Sequence, residues 1–190
     1  DIDTQFDFMN PRGNLYVPGA EEIIDNIRKL FNYAKEHKIQ ILSSIDAHTV
    51  DDPEFKLFPS HCIKGDLGNQ KIKESTCDDN IVIENREQKI TESIVDHDQV
   101  IVESQTFDIF ESINTEKIVN ALDACNYVVF GVATDYCVKA AVLGLLKRGY
   151  NVSLVTDATK AITKEGEKKS LNEMEGAGAV FTTTENIIEE

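Results

Sequence analysis

The chain has 190 residues, of which 41% are hydrophobic and 28% charged, and its formal net charge is −15. This composition predicts one globular domain over residues 1–190, and the acidic charge argues against nucleic acid or anionic lipid as partners. No apolar run reaches the 18 residues of a membrane span, and the four cysteines lack Cys-x-x-Cys spacing. We therefore expect reduced thiols and a cytoplasmic location.

Helical and strand-like patterns alternate along the chain. Residues 20–37 place apolar side chains at helical spacing, and residues 39–45 follow as a strand. The later predicted elements are a strand over 99–103, a helix over 114–124, a strand over 127–133, a helix over 138–149, a strand over 151–156, a short helix over 168–175 and a strand over 179–183. This alternation predicts an α/β fold with a parallel sheet and helices on both faces.

One long segment departs from this alternation. Residues 49–80 contain two prolines and two glycines and show little periodicity. Long irregular segments inside compact domains are usually functional. We therefore expect part of the functional site to come from this segment.

Polar residues follow several of the predicted strands. Asp3, Asp46 and Cys137 each stand where a strand ends. Ligands of open parallel sheets bind beyond the carboxyl ends of the strands. We therefore expect these three side chains to meet at one edge of the sheet.

Cys137 is predicted to lie in the first turn of a helix. The free N–H groups and the positive end of the helix dipole there favour a thiolate and could hold an oxyanion. The small Ala133 would let the backbone approach a substrate. Position alone slightly favours a cysteine that only fills the core, as most free cysteines do.

Asp46, His48, Glu54 and His61 form a mixed oxygen and nitrogen donor set. Such a set suits zinc, manganese or iron(II), although the same residues could be solvated loop side chains. Asp3 at a strand end could act as a general base, or could belong to a turn or a helix cap.

Several motifs resemble those of the isochorismatase-like cysteine hydrolases, and among them the nicotinamidases. The resemblance rests on DTQFDF from residue 3, DAHTVDDPEF from residue 46, FPSHCIKGDLG from residue 58 and GVATDYCV from residue 131. The ending GAGAVFTTTENI is also similar, so the resemblance covers almost the whole chain. It implies a three-layer sandwich around a mostly parallel six-stranded sheet.

The resemblance also implies roles for individual residues. Asp3 takes the place of the general base, Cys137 that of the nucleophile, and Ala133 with Cys137 the place of the oxyanion-binding N–H groups. Family members often have a cis peptide that corresponds to Val132–Ala133, and we expect one here.

Binding residues are implied in the same way. Asp46, His48 and His61 match the metal ligands of the family, with Glu54 as a fourth, and zinc is the first expectation ahead of manganese or iron. The residues that match the aromatic walls around a pyridine ring are Phe8, Phe58, Phe107 and Tyr136.

Ser104 departs from the family pattern, which has a catalytic lysine at this position. A serine carries no charge to offset the repulsion between Asp3 and a Cys137 thiolate. The substitution could be engineered, could accompany another substrate, or could mark lost activity. Three other lysines, Lys56, Lys64 and Lys160, are candidates for a replacement, but the sequence does not place their side chains.

The leading hypothesis is a nicotinamidase of pyridine nucleotide (NAD) salvage, which converts nicotinamide and water to nicotinate and ammonia through a Cys thioester. One alternative is a cysteine hydrolase of another small amide, such as a ureido or carbamoyl compound. Another is a protein that binds its ligand without turnover. By resemblance we also expect a homo-oligomer.

Overall fold

The computed structural model describes residues 1–189, and its centre consists of parallel strands. Three strands form one sheet in the order β1-β3-β2, and three form a second in the order β4-β5-β6. Their bounds are β1 Ile41–Asp46, β2 Asn80–Ile83, β3 Gln99–Ser104, β4 Asn126–Val132, β5 Asn151–Lys160 and β6 Val180–Thr182.

The first residues of the chain join the two sheets. Ile2 donates its N–H to the Phe130 carbonyl at 2.9 Å and accepts from the Val132 N–H at 2.9 Å, while Ser44 N–H donates to the Asp1 carbonyl at 3.0 Å. This segment therefore lies between β1 and β4. The join requires a glycine at position 131, because a Cβ there would lie 2.1 Å from the Ile2 carbonyl oxygen.

Helices cover both faces of the sheets. The helix bounds are α1 Phe6–Met9, α2 Ile24–Glu36, α3 Thr115–Leu122, α4 Lys139–Lys147, α5 Lys164–Gly176 and α6 Thr184–Ile188. Helices α1, α2 and α6 pack in one apolar cluster, and α3, α4 and α5 pack in another. The predicted α/β fold with helices on both faces of a parallel, six-stranded arrangement is confirmed.

The elements predicted from periodicity are present, with differences at some boundaries. Helix α5 begins at Lys164 rather than at residue 168, because Thr163 caps it by accepting a hydrogen bond from the Gly166 N–H at 3.0 Å. Its first turns are highly charged, so the sequence shows no apolar stripe there and the predicted helix started too late. Strand β2 was not predicted, since it has only four residues and one of them, Val82, is exposed.

Within residues 1–189, no helix combines the length and the hydropathy that crossing a membrane would require. The irregular segment after β1 contains short 3-10 turns at Pro53–Lys56, Leu67–Asn69 and Lys73–Ser75. It runs over the carboxyl ends of the strands, because His48 pairs with Ile63 and Gln5 pairs with Lys71. The segment therefore closes over the same edge at which β1 and β4 end.

Candidate active site

Asp3 and Cys137 meet at the carboxyl ends of the strands. Cys137 belongs to a π-helical turn, Thr134–Val138, between β4 and α4, and its thiol lies close enough to the Asp3 carboxyl group for Asp3 to raise the pKa of Cys137 and for Cys137 to lower the pKa of Asp3. The N–H of Ala133 also approaches the sulfur. The Val132–Ala133 peptide is cis, as expected.

The Asp3 carboxyl group is buried in a polar setting. Its Oδ1 accepts a hydrogen bond from the Ser44 hydroxyl at 2.5 Å. Burial and then the negative charge of Asp46 raise the pKa of Asp3 to about 7, while Ser44, Cys137 and Lys71 oppose that rise. A carboxyl group with a pKa near neutrality can both accept and return a proton at physiological pH.

The Cys137 thiol is not the activated thiolate that its position at a helix start predicted. Burial, followed by the charges of Asp3 and Asp46, raises the pKa of Cys137 well above its usual value. The expected effect of the helix dipole is therefore outweighed by burial and by two nearby carboxylates. The raised pKa favours the neutral thiol form of Cys137 in this setting.

Asp46, His48 and His61 form a second group, here called the histidine cluster. Their ligand atoms lie within 4.8 Å of one another, and all three residues are buried. Asp46 Oδ2 lies 3.6 Å from His48 Nε2 and 3.5 Å from His61 Nε2, whereas Asp46 Oδ1 and His48 Nε2 have no hydrogen-bond partner. Buried polar atoms without a partner that converge on one point fit a divalent metal ion.

The outward nitrogens of both histidines are held by neighbours. His61 Nδ1 lies 2.8 Å from the Pro59 carbonyl, and His48 Nδ1 lies 3.0 Å from Asp52 Oδ2. Such contacts orient the other ring nitrogen toward a metal. Burial would lower the pKa of His48, but Asp46 and Asp52 outweigh it and raise the pKa to about 9. His48 and Asp52 stand four residues apart in the chain, and this spacing alone did not point to a contact between their side chains.

Glu54 lies beside this cluster rather than within it. Its carboxylate groups with His48 and Asp52 in a second possible ligand set. Burial raises the pKa of Glu54. The structure therefore brings three of the four predicted ligands together and leaves Glu54 at the margin.

A cavity opens onto both groups. The predicted aromatic residues and several predicted site residues line it: Phe8, Asp46, Glu54, Phe58, His61, Phe107, Ala133, Tyr136 and Cys137. Ile162, which the sequence did not single out, also lines it and is held by a hydrogen bond of 3.0 Å from its N–H to Asp135. A flat molecule with apolar faces would fit between such walls.

Ser104 is buried but does not line this cavity. Its hydroxyl donates to the Thr106 carbonyl at 2.8 Å. Of the lysines considered as replacements, Lys64 pairs with Glu84 and Glu103, and Lys160 pairs with Glu22. These two ammonium groups are therefore engaged with glutamates.

Lys71, which the sequence did not single out, is a buried lysine that contacts the residues on either side of Ile2 and Asp3. Its side chain is 4% exposed, and Nζ lies 2.5 Å from Asp1 Oδ2 and 2.8 Å from the Thr4 hydroxyl. We call Asp1, Thr4 and Lys71 the lysine cluster. Burial lowers the pKa of Lys71 to about 7, while Asp3 opposes this shift.

Asp7, the other carboxylate of the first motif, has a structural role. It accepts hydrogen bonds from the Asn14 N–H at 2.9 Å and from the Cys62 N–H at 2.8 Å. A Cβ on Gly68 would lie 2.1 Å from its carboxylate, so a glycine is needed there. Asp7 therefore fastens two loops together.

Comparisons with known proteins agree with this geometry. A family model described as the isochorismatase domain matches residues 2–186. A nicotinamidase of Saccharomyces cerevisiae is 26% identical, covering 87% of this chain and 88% of that protein. A protein of Arabidopsis thaliana described as a "Probable inactive nicotinamidase" is 25% identical over 100% of this chain and 93% of that protein. Among solved structures, the pyrazinamidase of Pyrococcus horikoshii in complex with zinc is 28% identical, with a TM-score of 0.79 over 96% of each chain.

Proposed function

The chain belongs to the isochorismatase family, and from this premise we propose that it is an amide hydrolase with Cys137 as its nucleophile. The observation that carries this proposal is that Cys137, close to the buried Asp3 carboxyl group, lines the same cavity as Asp46 and His61 of the histidine cluster. Acyl transfer needs a nucleophile, a proton acceptor and donors for the oxyanion in one place.

The proposed reaction begins with transfer of the thiol proton to Asp3. The sulfur attacks the carboxamide carbon, and the backbone N–H groups of Ala133 and Cys137 stabilise the oxyanion. Asp3 then gives the proton to the leaving nitrogen, and ammonia departs. A water molecule, deprotonated by Asp3, attacks the thioester carbon; the C–S bond breaks, the acid is released, and the proton passes from Asp3 to the Cys137 sulfur. A pKa of Asp3 near 7 suits both directions of proton transfer.

We propose Asp46, His48 and His61 as the metal ligands, with Glu54 as a possible further donor. Zinc is the first candidate because of the nitrogen and oxygen donors, and manganese or iron remain alternatives. When bound, the metal would orient a ring nitrogen of the substrate, directly or through water, and would offset the charge of Asp46.

We propose nicotinamide as the substrate. Phe8, Phe58, Phe107 and Tyr136 line the cavity, and aromatic walls suit a flat pyridine ring. The similarity to a nicotinamidase and to a zinc-bound pyrazinamidase supports the same class of substrate. The product would be nicotinate, so the protein would act in NAD salvage, and we expect it to do so in the cytoplasm and as a homo-oligomer.

Binding without turnover is the second candidate. Two observations favour it: Ser104 stands at the position of the family's lysine, and a relative of similar identity is described as probably inactive. A different small amide, such as a carbamoyl compound, is a third possibility that the same assay addresses.

The test measures ammonia release by the protein loaded with zinc or manganese, from nicotinamide, pyrazinamide and a carbamoyl amino acid. We expect nicotinamide to be hydrolysed and Cys137→Ala to abolish the reaction, with at least a thousandfold loss. Ser104→Lys serves as a comparison. If neither this chain nor its Ser104→Lys variant releases ammonia from nicotinamide with metal bound, the nicotinamidase proposal is wrong.

A further inference from the structure

The last residue of β1, Asp46, lacks a regular strand partner on the side of the first residues of the chain. A parallel pairing starts on that side, because the Asp1 carbonyl accepts a hydrogen bond from the Ser44 N–H at 3.0 Å. Two residues further along such a ladder, the Asp3 carbonyl would accept from the Asp46 N–H. Asp3 instead has a positive φ of 48°, and its carbonyl accepts from the Gln5 N–H at 2.8 Å. The first segment therefore leaves the sheet before its main chain pairs with Asp46.

The side chain of Gln5 takes the place of that main-chain partner. Its Oε1 accepts from the Asp46 N–H at 2.7 Å, and its Nε2 donates to the Asp46 carbonyl at 2.8 Å. Nε2 also donates to the Asn69 carbonyl at 2.9 Å, and Asn69 Nδ2 donates to the Asp46 carbonyl at 2.6 Å. Gln5 is fully buried, and these contacts use both of its amide hydrogens and its oxygen. A side-chain amide therefore pairs with the end of β1 as a neighbouring strand would.

The carboxylate of Asp46 depends on this support of its main chain. Its Oδ1 has no hydrogen-bond partner among the described residues, and its Oδ2 lies 3.6 and 3.5 Å from the Nε2 atoms of His48 and His61. Those distances exceed the length of an ordinary hydrogen bond, so the histidines hold the carboxylate only loosely. The direction of the Asp46 side chain is therefore set mainly by its main chain, which β3 holds on one side and Gln5 on the other.

We propose that Gln5 is a positioning residue that aims the Asp46 carboxylate into the metal site. The proposal rests on the proposed role of Asp46 as a metal ligand, and it names the contact that fixes this ligand before an ion is bound. Gln5 does not line the cavity, so it acts through Asp46 and not on the substrate. A ligand that the fold already holds in place loses little freedom when a metal binds, and this strengthens binding.

The experiment compares two buried glutamines of the same chain. Gln99 is also fully buried, and its Nε2 donates to the Ser43 hydroxyl at 2.7 Å and to the Ser75 carbonyl at 3.0 Å. Its Oε1 accepts from the Cys77 N–H at 2.8 Å. Gln5→Met and Gln99→Met each introduce an apolar side chain of similar length, and each removes three side-chain hydrogen bonds. Of these contacts, only those of Gln5 reach the histidine cluster.

Competition with a chromophoric chelator measures zinc affinity, and the visible spectrum of the cobalt(II)-loaded protein reports the geometry of the ligands. We expect Gln5→Met to weaken zinc binding about 10- to 100-fold and to change the cobalt spectrum. Gln99→Met should leave both unchanged, although urea unfolding should show a loss of stability in both variants. A folded Gln5→Met variant with the zinc affinity and the cobalt spectrum of Gln99→Met would overturn the proposal.

A second measurement applies if Gln5→Met does not fold. In the unaltered, metal-free protein, 15N NMR of the glutamine side chains should show slow solvent exchange of the Gln5 amide hydrogens, as for those of Gln99. Fast exchange at Gln5 alone would contradict a contact that exists before the metal binds.

The affinity measurements need no substrate, so the outcomes separate the proposals. A Gln5 effect on zinc affinity without any hydrolysis of nicotinamide would support the positioning role while removing the substrate assignment. If the unaltered protein binds neither zinc nor cobalt, the proposed metal site is wrong, and the role of Gln5 with it.

Discussion

The two polar clusters that flank Asp3 differ in the source of their positive charge. The lysine cluster carries a covalently attached ammonium group, whose Nζ lies 2.5 Å from Asp1. The histidine cluster has imidazoles about 3.5 Å from Asp46 and leaves buried polar atoms without partners. The first cluster is complete within the chain, whereas the second has the donor set of a site for an added cation.

The comparison shows that the negative charge of buried carboxylates can be compensated in two ways, and that the two ways have different consequences. A built-in ion pair makes the fold depend on both partners, since either one alone is a buried, unpaired charge. A metal site makes activity depend on the supply of the ion and on pH, because protonated histidines do not bind metal. The following experiments separate the dependence of the fold on the ion pair from the dependence of activity on the metal, from the largest expected effect to the smallest.

Removal of a ligand from the histidine cluster should have the largest effect. We expect His61→Ala to lower ammonia release at least about a hundredfold and to lower the bound metal, because a metal contributes several kcal/mol to such reactions. Metal analysis and the ammonia assay measure this, with the exposed His37 changed to Ala as control. Full activity with unchanged metal content would separate the histidine cluster from catalysis.

Removal of the ammonium group from the lysine cluster should act mainly on stability. We expect Lys71→Met to lower the free energy of unfolding by about 3–5 kcal/mol, because Asp1 is left buried and unpaired. Urea unfolding measures the change, and added zinc should not reverse it. Lys73→Met, on a lysine that is 90% exposed, should change stability by less than about 0.5 kcal/mol. A similar small change for Lys71→Met would show that the ion pair is not needed for folding.

The contribution of His48 to the stability of the metal-free protein should fall as pH rises. The pKa of His48, about 9, lies above its ordinary value of 6.5, so its charged form stabilises the fold. This contribution is complete below pH 6.5 and is lost as pH rises through 9, a decrease of about 3 kcal/mol at most. Urea unfolding with a chelator measures this trend. A His48→Gln variant isolates this contribution, because Lys71, whose pKa is lowered to about 7, changes stability in the opposite direction over part of the same range. Zinc should stabilise the protein more as pH rises, and a stability difference between the unaltered protein and His48→Gln that does not change with pH would argue against a charged His48.

Asp52 should strengthen metal binding by the histidine cluster without being required for it. We expect Asp52→Asn to weaken metal binding about 10- to 100-fold, because the His48 ring loses a charged partner. Competition with a chromophoric chelator measures the affinity. The exposed neighbour provides the control, since Asp51→Asn should leave affinity unchanged. Equal effects of both substitutions would point to surface charge instead of a contact with His48.

Much of the site could be predicted because it follows local rules. Asp46 is the last residue of β1 and Cys137 lies in the turn that follows β4, and strands of a parallel sheet end at one edge. The aromatic residues that line the cavity could also be predicted, because they belong to short sequence motifs. Glu54 groups with His48 and Asp52 rather than with Asp46 and His61, a distinction that spacing along an irregular loop does not make, and its role as a ligand stays a prediction.

The sequence by itself determined the α/β class, most of the regular elements and the strand-end residues, since hydrophobic periodicity and chain order carry that information. Only the tertiary structure decided that Lys71 lies beside Asp1 and Thr4, across 67 residues from Thr4. It also decided that burial raises the pKa of Cys137 despite its place near a helix start. Both depend on which distant groups share a buried space, and the charge and solvation of that space are properties of the packed chain and not of any segment.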